Sequence, residues 1–196
     1  MARLDYQRTV IGYHGCDRAT AEQVLLGRTK LVASSNDYDW LGQGIYFWEY
    51  GPERALRWAQ EIAKRWPDRV REPAVLGAVL HLGQCFDLLD VRNTDSLAGL
   101  FPLFQEELRR AEQPLPSNAG VVGEECELVL RRLDCAVLNW TIQTLEREVG
   151  FKFQTVRSVF QEGEPAFPGA KIMRRSHIQI AVRDAGCVLG YFRPET

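Results

Sequence analysis

The sequence predicts an α+β fold, and three observations carry that expectation. Helical periodicity is confined to the first two-thirds of the chain. The last third alternates short strand-like runs with loops, the order of an antiparallel sheet. No repeat, linker or low-complexity segment interrupts the 196 residues, so one domain spanning 1–196, with its own core, is expected.

Taken in order, "RTVIGYHG" (8–15) reads as a short buried strand. The helix "DRATAEQVLLG" (17–27) follows, with Asp17 or Thr20 positioned to cap it and Gly27 to stop it. Residues 30–44 begin as a small strand and become a polar, turn-rich loop. "GIYFWEY" (44–50) is aromatic and β-branched and predicts a strand. Pro52 suits the first turn of a helix over 52–66, whose Ala55, Trp58, Ala59, Ile62 and Ala63 share a face. The apolar run 73–90 is the strongest strand signal. A helix over 95–111 is expected despite Pro102, then a loop over 112–127, then a wide-faced helix over 128–150. Strands are expected at 155–160, 176–182 and 187–192, with a loop at 161–173.

Composition narrows the function classes. A net charge of -2 provides no global field that would collect nucleic acid or an anionic membrane, so a nucleic-acid partner would need a local basic patch. The N-terminus lacks the apolar region of a signal peptide, and no run of about 18 apolar residues occurs. A cytoplasmic protein with no membrane partner is expected, unless another system exports it. Five cysteines (16, 85, 126, 135 and 187) are scattered without a C-x-x-C pair, and the three histidines lie far apart. That spacing argues against zinc and against a disulfide framework. Four of the cysteines sit in apolar neighbourhoods and read as small buried residues.

Three segments stand out: "YHG" at 13–15, "GQGIYF" at 42–47 and "SHIQIAVRD" at 176–184. Singly, each has a structural explanation. A histidine at a strand end is commonly a satisfied polar residue, "GIYF" a core strand, and "HIQI" a strand with His177 and Gln179 on its polar face and Ile178 and Ile180 on the other.

The order and spacing of the three resemble the ADP-ribosyltransferase superfamily, in its His-Tyr-Glu branch of poly(ADP-ribose) polymerases and diphtheria-toxin-like enzymes. Residues 34–49 and 176–192 also resemble a group of bacterial proteins of this size. The resemblance implies split antiparallel sheets with flanking helices, NAD as co-substrate and cleavage of its nicotinamide–ribose bond. That bond breaks through an oxocarbenium-like ribose, so a site must grip the carboxamide, orient the riboses and stabilise developing positive charge.

The same resemblance assigns roles. The backbone of Gly15 would pair with the carboxamide, glycine allowing close approach. His14 would hydrogen-bond a ribose hydroxyl. Tyr46 would stack on the nicotinamide, with Gly42 and Gly44 permitting the approach. Cys16 stands where the branch usually carries serine or threonine, and Gln179 where it carries the catalytic glutamate. A neutral Gln179 weighs against polymer elongation and towards transfer of a single ADP-ribose.

Glu162 and Glu164 are candidate general bases in the loop that would meet the acceptor, against the reading of an exposed acidic turn. Arg157 is a candidate for the pyrophosphate, against an ion-paired arginine. Asn36 and Asp39 are candidates for the pocket rim, Asp39 and Glu49 equally for caps. Lys171 to Arg175, with Arg131 and Arg132, are candidates for nucleic-acid phosphates, and a protein acceptor is equally expected.

The leading expectation is a mono-ADP-ribosyltransferase of bacterial toxin or anti-phage type, with an antitoxin or immunity protein as a possible partner. The alternatives are an NAD glycohydrolase and an inactive module that binds NAD, ADP-ribose or a partner.

Overall fold

The computed structural model describes residues 5–120 and 130–195, without the side chains of residues 5 and 6. Its elements are β1 (Asp5–Asp17), α1 (Arg18–Leu25), β2 (Ile45–Glu49), α2 (Pro52–Arg65), β3 (Pro73–Asp87), α3 (Val91–Arg110), β4 (Asn118–Ala119) and β5 (Leu130–Arg131). They continue with α4 (Arg132–Val149), β6 (Thr155–Phe160), β7 (His177–Val182), a 3-10 turn (Ala185–Cys187) and β8 (Val188–Phe192). The α+β class expected from the sequence is what is seen.

Six strands form one sheet in the order β1-β2-β7-β6-β3-β8, and β1 also pairs with β3. The hydrogen bonds therefore close a ring from β1 through β2, β7, β6 and β3 back to β1. Strand β3 makes the closure possible by its length. One edge carries β1 from Pro73 to Gln84, and the other carries β8 at Gly77–Leu80 and then β6 at Cys85–Asp87. The β3–β6 pairing is parallel. Split antiparallel sheets were expected; among the described residues these six strands form one continuous mixed network instead, with β4 and β5 paired apart from it, because β6 enters beside β3 after the long α4 crossover.

Period-two alternation sorts the core. Val10, Ile45, Phe47, Ala78, Leu80, Leu82, Ile180 and Val182 share one cluster on one face. The opposite face packs Phe86, Val156 and Ala181 against Leu138 and Ile142 of α4, with Leu41 beside them. A third cluster joins Cys16 and Leu76 to Ala21 and Val24 of α1.

Several boundaries moved. Asp17 is the cap of α1, its carboxylate accepting from the Ala19 N–H at 2.9 Å. The small strand expected at residue 30 is absent; only Ser34 bridges to Gly44. Helix α3 starts earlier than expected, because the Asp90 carboxylate caps it through the Arg92 N–H. Residues 118–119, placed in a loop, and 130–131, placed in a helix, instead pair as β4 and β5. Residues 121–127 of that loop, including Cys126, lie outside the described residues, as do 128–129. Cys16, Cys85, Cys135 and Cys187 are all buried, as their apolar neighbourhoods implied. Among the described residues no helix is long and apolar enough to cross a membrane.

Candidate functional site

Strands β1, β2 and β7 set the three motifs side by side, with His14 on the face of Phe47 and Ile180 and with Tyr46 and Gln179 on the opposite face, that of Trp48. The β1–β2 ladder holds only two pairs, Gly12 with Glu49 and Tyr13 with Trp48, and then opens. Where it opens, His14 reaches across and its Nδ1–H donates to the Tyr46 carbonyl at 2.8 Å. A carbonyl can only accept, so the proton sits on Nδ1 and Nε2 is the acceptor of the neutral ring. Burial lowers the pKa of His14 below the ordinary histidine value, against the opposing effect of that hydrogen bond. The ring rests 5.7 Å from Phe47 and lines an open cleft of about 530 Å³ with Thr20, Gln23, Thr29 and Lys30.

On β7, Gln179 faces Trp48 of β2 and Ser158 of β6. It is buried rather than on a solvent face, and its Oε1 accepts from Trp40 Nε1 at 2.6 Å. Tyr46 is committed to its own loop. Its hydroxyl donates to the Gly42 carbonyl at 2.8 Å and accepts from the Leu41 N–H at 3.0 Å. Burial raises its pKa well above that of a free phenol.

The glycines have packing reasons. A Cβ on Gly15 would collide with the Ala55 carbonyl of α2, so this residue lets the helix press onto β1. Gly42 has φ +73°, where a side chain is strained, and a Cβ would strike Asn139. Gly44 packs tightly against Ala181 and Val182.

Other candidates lie elsewhere. Cys16 is turned into the cluster with Val24 and Leu76, and burial pushes its thiol up to about 11, so it is a weak partner for any ligand. Asn36 and Asp39 organise the 34–39 turn: Asp39 Oδ2 accepts from Ser34 Oγ at 2.6 Å and from the Asn36 N–H at 2.9 Å. Arg157 is not presented to a pyrophosphate. Its side chain is 5% exposed, and the guanidinium bonds Glu49 at 2.6 Å and Asp87 at 3.0 Å. Arg131 and Arg132 pair with Asp134 and Asp37. The loop at 161–176 is a hairpin: the Arg175 N–H donates to the Glu162 carbonyl, and Pro165 bridges Met173. Glu164 is exposed on it, whereas Glu162 is buried, both its oxygens accepting from Arg54 Nη2 at 2.9 and 2.7 Å.

The sequence reading missed Trp40, Trp48, Arg54 and the chemistry of His177. Arg54 of α2 lies 5.5 Å over the Trp48 ring, which sits 6.3 Å from the His177 ring and 5.7 Å from Trp58. The tryptophans flanking "LGQGIYF" were the available signal; Arg54 carried none, as the first turn of α2 is rich in charge.

No family model matches the chain, and no solved structure matches it. It is similar to "Uncharacterized protein MJ0359" of Methanocaldococcus jannaschii, 24% identical over 159 residues that cover 80% of this chain and 67% of that protein. That likeness extends over most of the fold and carries no activity with it.

Proposed function

We propose that this chain is an NAD-dependent mono-ADP-ribosyltransferase that passes one ADP-ribose unit to a macromolecular acceptor. The observation that carries the reading is that three motifs far apart in sequence lie on three adjacent strands. His14 stands at the opening between β1 and β2, on the Phe47 face, and Gln179 stands across β2 on β7, on the opposite face. In this reading a ribose hydroxyl donates to His14 Nε2, and Lys30 and Thr20 of the cleft meet the phosphates. The Gln179 amide then orients the scissile ribose by hydrogen bonding, without supplying charge. Lys171 and Arg174, exposed on the 161–176 hairpin, face an acceptor that is a protein or a nucleic acid. A toxin or anti-phage role, with a cognate antitoxin, is the biological setting proposed.

NAD labelled on the adenylate, incubated with the protein and a bacterial extract, tests this. Label in protease- or nuclease-sensitive macromolecules is expected, falling at least tenfold in His14→Ala. Free ADP-ribose with no labelled macromolecule makes the protein an NAD glycohydrolase.

One observation favours a second reading, a binding module without turnover. Gln179 is neutral and engaged with Trp40, and Glu162 is already paired with Arg54. NAD binding with equal background turnover in wild type, Tyr46→Ala and Gln179→Ala would establish it.

A further inference from the structure

Composition made a nucleic-acid partner depend on a local basic patch, and one lies at the end of α2. Between residues 57 and 71 the chain carries five cations, Arg57, Lys64, Arg65, Arg69 and Arg71, against two carboxylates, Glu61 and Asp68. That is a local charge of +3 in a chain whose net charge is -2. All five cations are exposed, and none forms an ion pair among the described residues. Glu61 is turned to Arg175 instead, at 3.6 Å. The arginines at 131, 132 and 175 differ in this respect, being paired with Asp134, Asp37 and Glu162 in turn.

An aromatic ring stands within the patch. Trp66 follows the last residue of α2 and is 44% exposed, while Val70, four residues on, is buried. The turn between them fixes this arrangement. The Trp66 carbonyl accepts from the N–H groups of Arg69 at 2.9 Å and Val70 at 3.4 Å, and the Trp66 N–H donates to the Ile62 carbonyl at 2.7 Å. Asp17 pins the far end, its Oδ2 accepting from the N–H groups of Arg71 at 2.8 Å and Glu72 at 3.0 Å. The indole is thus presented on a turn that a ligand need not order.

Arg65 and Arg69 lean towards the ring, their guanidinium carbons 5.4 and 5.8 Å from its centre. Stacked groups meet at about 3.5–4 Å, so neither arginine is stacked tightly on it. Lys64 and Arg65 have a structural reason to be there, since cations in the last turn of a helix meet its negative end. That reason does not extend to Arg69, Arg71 or an indole left in water.

We propose that this surface binds single-stranded nucleic acid. A base stacks on Trp66, and Arg65 and Arg69 flank it and turn their guanidinium groups to the adjoining phosphates. Lys64 and Arg71, on either side in the chain, meet further phosphates. The strand is unpaired because bases inside a duplex do not offer their faces. An acidic peptide meets the cations but gives the indole nothing planar to stack on. Such binding needs no NAD and is separate from the cleft at His14.

Fluorescence anisotropy of labelled deoxythymidine and uridine oligomers about twelve nucleotides long, without NAD, tests this. Binding is expected at low salt. Affinity should fall as salt rises, with a log–log slope of about -2 for three phosphate contacts. Trp66→Ala should weaken binding roughly 5- to 150-fold at an unchanged slope, because stacking releases no counterions. Trp66→Phe should keep most of the affinity, as its ring still stacks. Lys64→Gln and Arg71→Gln should each lower the slope by roughly 0.7. These positions are exposed, and a thermal midpoint near that of wild type checks that each variant folds. A preference for the DNA or the RNA oligomer supports the proposal and names the strand. No binding by the wild-type protein overturns it, as does binding that a folded Trp66→Ala leaves intact. Equal affinity for a duplex of the same length, or for a poly-glutamate peptide of the same charge, overturns it too. A protein that binds the strand and turns over no NAD loses the transferase reading alone.

Discussion

Two arginine–carboxylate groups flank the same strands and are finished differently. On the inner face, Arg157 of β6 bonds Glu49 of β2 through Nε and Nη2 and Asp87 of β3 through Nη1. Asp87 Oδ1 accepts the Leu89 N–H, and Arg8 adds a contact to Glu49 at 3.5 Å. Burial alone would lower the pKa of Arg157, but Glu49 and Asp87 hold it above the ordinary value. On the outer face, Arg54 gives only Nη2 to Glu162, and Trp48 and His177 each keep a nitrogen with no partner among the described residues. A closed ion cluster fastens strands to one another. An open one costs stability, and folds retain that cost where a ligand or a reaction uses it.

The comparison can be broken most severely at Arg157. Arg157→Ala leaves Glu49 and Asp87 buried without their main partner, which costs about 3–5 kcal/mol and lowers Tm by roughly 6–20 °C in a domain of this size. Thermal unfolding checks it; a shift of a degree or two would mean water reaches the cluster.

Glu162→Gln should cost less, about 1–3 kcal/mol, because the amide oxygen still accepts from Arg54 and the surroundings are already incompletely bonded. Urea unfolding of the two variants side by side gives the order. Equal losses would erase the distinction between the groups.

The smallest effect is on pH. His14 and His177 both have lowered pKa values, chiefly from burial, so each stays neutral in the fold while the unfolded chain titrates near 6.5. Below that value the unfolded state binds protons that the folded state does not, and stability falls with falling pH. The urea midpoint should be lower at pH 5.5 than at 7.5, and the difference smaller in His177→Asn. An unchanged midpoint would show that the rings accept protons without leaving the fold.

Much of the fold was legible locally. Pro52 at the start of α2, the Ala55–Ala59 face, the long apolar run of β3 and the alternation of β7 are all written within a few residues of one another. Asp17 is one of the two caps the sequence offers for α1, whereas Asp90 caps α3 some residues ahead of the helical pattern that begins at residue 95. The parallel β3–β6 pairing was not legible, since strand direction depends on where the α4 crossover delivers the chain. The site divides in the same way. "YHG", "GQGIYF" and "SHIQI" could be picked out, and their strands do lie side by side. The roles of individual side chains were less legible: Gly15 clears room for a helix and Tyr46 ties its loop, while Arg157 takes the ion-paired alternative of its two readings.

By itself the sequence determined most of the element types, the apolar core faces and the three strand-borne motifs, because periodicity and turn chemistry act over one or two turns of chain. Only the tertiary structure decided which polar atoms are satisfied. Arg157 meets Glu49 across 108 residues, Arg54 meets Glu162 across another 108, and Trp40 meets Gln179 across 139. Hydrogen-bond completion is a property of partners that distant, and His177 Nε2, left without one, was invisible until the strands closed.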